Sequence, residues 1–87
     1  MTKAKNFIRD LSYDKDFDVL YIKYEDNENA VAAEIGPHII MYLDKSTNLP
    51  TVITILDFHH VYAHWDNWKD RIPVEIDFKN DIFPKIA

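Results

Sequence analysis

From Leu11 to Leu56 the chain alternates short runs of β-branched and aromatic residues with polar turns. That alternation narrows the folds open to it more than any other feature. Asp18 to Tyr24 and Thr51 to Leu56 suit a pleated surface, and their branched side chains lose rotamer freedom in a helix. Leu11 to Tyr13, Ala30 to Ile35 and His38 to Leu43 are read the same way. Between them lie Asp14 to Phe17, Glu25 to Asn29 and Asp44 to Pro50, rich in Asp and Asn side chains that bond their own backbone and tolerate left-handed conformations. Gly36-Pro37 is a bend or bulge between the third and fourth runs.

At Asp57 the period changes. Phe58, Val61, Tyr62, Trp65 and Trp68 fall on one face at about 100° per residue, which predicts an amphipathic helix near residues 57–70 with Asp57 as its N-cap. Lys69 and Arg71 suit its C-terminal end, and Pro73 stops it. Val74 to Phe78 alternates strictly and predicts a last, half-exposed strand. The pattern is that of an α+β domain: a small antiparallel, meander-like sheet of five to six short strands with one helix. Residues 1–87 form a single domain with its core within about 7–78, and 79–87 is expected to be a loosely held tail.

Composition removes whole classes of chemistry. With no Cys there is no disulfide framework, thiolate metal site or Cys nucleophile. The single Gly, Gly36, excludes glycine-rich phosphate loops. A formal net charge of −5 and no basic stripe argue against nucleic acid as a direct ligand. The first twelve residues hold no apolar run of signal-peptide type, and no stretch reaches the roughly eighteen apolar residues of a membrane span. A cytoplasmic protein without a membrane partner is the expectation.

Several strands are apolar on both faces: Leu20, Ile22 and Tyr24 lie on one side of the second, Val19 and Tyr21 on the other. One helix covers one face, so the other is expected to meet a protein partner or a second copy in a homodimer.

The run from Tyr13 to Ile22, Glu34 and its neighbours, Ile39 to Asp44 and Val52 to Asp57 together resemble the domain of unknown function 2283 family of small prokaryotic proteins, over residues 11–60. That resemblance implies a small antiparallel sheet with a short helix and carries no established catalytic residues. Some family members look like antitoxins of small toxins. The chain departs from the family in lacking a Gly in the Asp44 to Pro50 turn and in the longer, aromatic, His-rich segment after Asp57.

His59, His60 and His64 are the densest group of potential ligands. His60 and His64 are one helical turn apart and, with Asp57, form a candidate site for weak divalent-metal binding; the plain alternative is a solvated helix flank with Asp57 as cap. No Glu follows His60, so this is not a metalloprotease helix. Asp14, Asp16, Asp18 and Glu25 occupy ligand positions of a calcium loop, but Val19 stands where such a loop needs Gly. Neither Ser12 nor Ser46 sits in a nucleophile elbow, and no acid/base pair can be named, so catalysis is not expected and no cofactor is implied. Tyr21, Tyr24 and Tyr42 on the sheet, with Trp65 and Trp68 on the helix, are the candidate interface residues, since aromatic anchors dominate binding energetics. For the two tryptophans the plain alternative is a place in the core. The leading function is a non-catalytic protein–protein interaction module, antitoxin-like in character. A small ligand- or metal-binding protein using the histidine pair is the alternative.

Overall fold

In the computed structural model, which describes residues 7–26 and 28–86, the alternating runs become five antiparallel strands. They are β1 (Asp10–Asp14), β2 (Val19–Lys23), β3 (Ala30–Glu34), β4 (Ile39–Asp44) and β5 (Pro50–Ile55). Residues 1–6, Asn27 and Ala87 lie outside the described part, and with them much of the N-terminal segment read above for a signal sequence. The spatial order is β1-β2-β5-β4-β3. It is therefore not a simple meander, because the link after β2 carries the chain across to the far edge, from which β3, β4 and β5 return towards β2.

Two of the three hairpin loops, β1–β2 and β4–β5, are built alike. Asp14 Oδ1 accepts the amides of Asp16 (3.1 Å) and Phe17 (3.3 Å). Asp44 Oδ1 accepts those of Ser46 (2.7 Å) and Thr47 (3.1 Å). Each loop ends four residues later in a left-handed residue, Asp18 (φ 56°) and Asn48 (φ 61°), types that adopt this conformation at low cost. Gly is thus dispensable at both turns.

Strand parity sorts the side chains. Leu20 and Ile22 on β2, Ile53 and Ile55 on β5 and Ile39 and Met41 on β4 face one side and are buried there. The chain after β5 covers that side with Phe58, Val61, Ile72, Val74, Ile76, Phe78 and Ile82. Fully burying one such side chain is worth about 1.5–3 kcal/mol, so this interface accounts for most of the favourable hydrophobic term. Phe58 is its centre, with ring centroids of Tyr13, Phe78 and Phe83 at 5.8–5.9 Å.

The covering segment departs from the periodicity in three places. The helix expected over residues 57–70 is a six-residue α1 (Phe58–Ala63) followed by two 3₁₀ turns, Trp65–Asn67 and Lys69–Arg71. Trp65, Trp68 and Arg71 recur every three residues, which suits a winding of three residues per turn. The stretch from Val74 to Phe78 keeps its alternate burial but forms no strand of the sheet, only an isolated bridge at Val74. In place of a loose tail, Phe78–Ile82 forms a π-helical turn that runs on into α2 (Phe83–Ile86). Ile82 is fully buried, and Phe83 and Ile86 pack against the core, which is what holds this end down. Among the described residues no helix is long and apolar enough to cross a membrane.

Gly36, in the link between β3 and β4, has no positive φ; its role is close approach. A Cβ there would lie 2.5 Å from Cζ3 of the Trp68 indole. Gly36→Ala is therefore expected to destabilise the fold by about 1–3 kcal/mol in urea unfolding. Trp68→Phe should recover part of that loss in a double-mutant cycle. Strict additivity of the two substitutions would contradict the contact.

Candidate functional site

Three groupings of polar and aromatic side chains stand out, and the first explains where the other two lie. Asp18, at the end of the β1–β2 loop, reaches the start of α1. Its backbone carbonyl accepts the Phe58 amide at 2.9 Å and its Oδ2 accepts the His59 amide at 3.0 Å. Its Oδ1 lies 2.6 Å from His59 Nδ1 and takes the Tyr13 hydroxyl hydrogen bond, also at 2.6 Å. A carboxylate only accepts, so Nδ1 carries the proton and Nε2 is the free ring nitrogen of His59.

Asp57 holds the N-cap position expected of it, but its side chain makes no capping bond. It sits at φ 53°, ψ 52°, whereas a capping side chain needs an extended backbone to reach the second or third amide. Asp18 supplies the cap from 41 residues away in the chain. Burial pushes the Asp18 carboxyl up, but hydrogen bonds from Tyr13 and from the His59 amide and ring, with the His59 charge, outweigh it and hold the carboxyl below its ordinary value. The Tyr13 phenol is pushed up to about 12, chiefly by its bond to Asp18, then by burial and by the charges of Asp18 and Asp14. The calcium-loop resemblance dissolves accordingly, since Asp14 is used in its own turn and Asp18 on the helix.

The second grouping is a row of imidazoles. His60 and His64, exposed on α1 and just after it, have ring centroids 4.6 Å apart, and His38, ahead of β4, lies 5.9 Å from His60. His38 also meets the Trp68 ring edge-on at 6.4 Å. Asp57 does not join His60 and His64: among the described residues no three His, Asp or Glu side chains gather in a geometry ready to hold a metal ion. His59, adjacent to the pair in sequence, is drawn away by Asp18.

The third is the uncovered sheet face. Register places Ser12, Tyr21, Thr54, Ile40 and Glu34 in one cross-strand row and Lys23, Val52, Tyr42 and Ala32 in the next. Tyr21 is 44% exposed and Tyr42 half-buried, and neither belongs to the core cluster. Around this centre the strand positions of the face carry Asp10, Asp14, Glu34 and Asp44. Its one basic strand residue, Lys23, is 3.8 Å from Asp26.

The remaining interface candidates lie elsewhere. Tyr24 is 5% exposed and part of the core, because its parity is that of Leu20 and Ile22. Trp65 packs edge-on against Phe78 at 4.8 Å, and Trp68 lies against Gly36 with the Arg71 guanidinium 5.8 Å from its ring centre. Both tryptophans are half-buried against the core.

Sequence reasoning missed Asp18 as a cap and His38 as a neighbour of His60. The first was foreshadowed by the likeness of Asp14–Asp18 to Asp44–Asn48, two loops whose left-handed position Asn fills equally well without a charge. No local signal marks the second, which follows from strand order.

Compared with known proteins, the chain matches no family model, no curated protein and no solved structure.

Because the folded-state carboxyl of Asp18 is depressed, its stabilisation is present above the ordinary carboxylate range and is lost as pH falls through the folded value. Asp18→Asn keeps the left-handed backbone but removes the charge. It should cost roughly 0.5–2 kcal/mol at neutral pH, as loss of a cap does, and markedly less at about pH 3. Urea unfolding at both pH values checks this; an equal difference at the two would contradict the assignment.

Proposed function

We propose that this chain is a non-catalytic protein–protein interaction module that docks a basic partner through the uncovered face of its sheet. The observation that carries the reading is the apolar centre of that face, Tyr21, Ile40, Tyr42 and Val52, with no element of the described chain packed over it. Aromatic side chains at the middle of a patch, ringed by polar residues, are the usual anchors of an interface.

Charge selects among occupants. The acidic rim and the net charge of −5 favour a partner with basic residues around an apolar patch, which such a field also steers into place. A second copy placed face to face would set acidic rims against each other, at an electrostatic cost that a basic protein avoids. An acidic antidote to a small basic toxin fits this chemistry, as does the resemblance noted in the strands. The Asp18–His59 pair needs no catalytic role, because its hydrogen bonds attach the helix.

Purification from the native host, followed by size-exclusion chromatography with light scattering, tests the reading. A small basic polypeptide should elute with the protein in stoichiometric amount, and added salt should weaken the complex. Tyr21→Glu and Tyr42→Glu should each abolish it, while Lys85→Glu on the covered side leaves it intact. Retention of the partner by both tyrosine variants, or a tight homodimer burying Tyr21, would overturn the proposal.

A further inference from the structure

The imidazole row is left unexplained by a docking role for the open sheet face. Among the described residues neither His60 nor His64 forms an ion pair with a carboxylate, whereas Asp18 is engaged with His59. His64 Nδ1 lies 3.0 Å from the His60 carbonyl, to which it donates, so its Nε2 keeps a lone pair. His38 is brought alongside by the sheet. Its carbonyl accepts the Leu56 amide at 2.7 Å, which fixes it beside the residues that begin α1.

The spacing suits a metal ion. A transition-metal ion about 2 Å from an imidazole nitrogen has that ring's centre about 3 Å away, so two rings in neighbouring coordination positions lie about 4.5–5 Å apart. His60 and His64, at 4.6 Å, are already in that range, and His38, 5.9 Å from His60, is about 1 Å outside it. As the side chains stand they do not form a finished three-ligand cage. Closing the gap requires a turn of the His38 ring, which is held by edge contacts to His60 and Trp68.

We propose that His38, His60 and His64 together bind one divalent transition-metal ion of the imidazole-preferring class, nickel, copper or zinc, with water completing its shell. The site replaces Asp57 of the sequence expectation with His38. Nitrogen donors of this kind favour these ions over magnesium and calcium, which prefer oxygen. Ligands from α1 and from the start of β4 would tie the helix to the sheet, and binding that favours the folded state raises its stability.

Isothermal titration of the full chain with nickel chloride tests the proposal, with tryptophan emission as a second readout because His38 abuts Trp68. One saturable site per chain is expected, accompanied by quenching. His60→Ala and His64→Ala should each weaken binding at least about tenfold, and so should His38→Asn, since loss of even an outer-shell partner of a metal ligand has an effect of about that order. His59→Ala should bind as the wild type does. Circular dichroism confirms that each variant is folded, and His38→Ala serves if the Asn variant is not. Absence of saturable binding overturns the proposal outright, and unchanged affinity in the folded His38 variants overturns the three-histidine assignment.

Discussion

The constraint on which the rest of this structure depends is that its sheet carries large apolar side chains on both faces while the chain after β5 covers only one. The core face collects Leu20, Ile22, Ile39, Met41, Ile53 and Ile55 and is sealed by residues from Phe58 to Ile86. The opposite face therefore keeps Tyr21 and Tyr42 at its centre and carboxylates at its rim. Its apolar centre is a consequence of strand parity, and the proposed docking role grows from it.

What fixes the start of the cover is a single side chain. Asp18 stands in a left-handed turn position that Asn or Gly could also fill, yet only a carboxylate takes the Tyr13 hydroxyl, the His59 amide and the His59 ring together. This attaches the β1–β2 loop to the first turn of α1 and sets Phe58 at the centre of the core. It also divides the histidines: His59 turns to Asp18, leaving His60 and His64 beside His38. A local turn chosen for backbone reasons thus governs both the packing of the core and the chemistry of the helix surface.

The strands were legible because strand parity writes burial into alternate residues, and β2 and β5 are dense in branched and aromatic side chains. The aromatic stripe after Asp57 was legible as a buried face but not as a winding, since Trp65 and Trp68 share a face in both α and 3₁₀ geometry. Val74, Ile76 and Phe78 alternate as a strand does, yet they pack across the core with no more pairing than an isolated bridge at Val74. Ile82, Phe83 and Ile86 looked like a tail only because their contacts are with distant residues. Tyr24 follows the same parity as Leu20 and Ile22, so its burial could have been read directly from the strand. The capping by Asp18 and the approach of His38 depend on strand order, which a pairwise-local reading does not supply.

The central claim, one sealed face and one open face, is tested most directly by hydroxyl-radical footprinting of the isolated protein at low concentration, read residue by residue by mass spectrometry. The account predicts rapid oxidation of Tyr21 and slow oxidation of Tyr24, Phe58 and Ile82, which are 5%, 0% and 0% exposed. Tyr24 oxidising as fast as Tyr21, or Tyr21 as protected as Phe58, would contradict it.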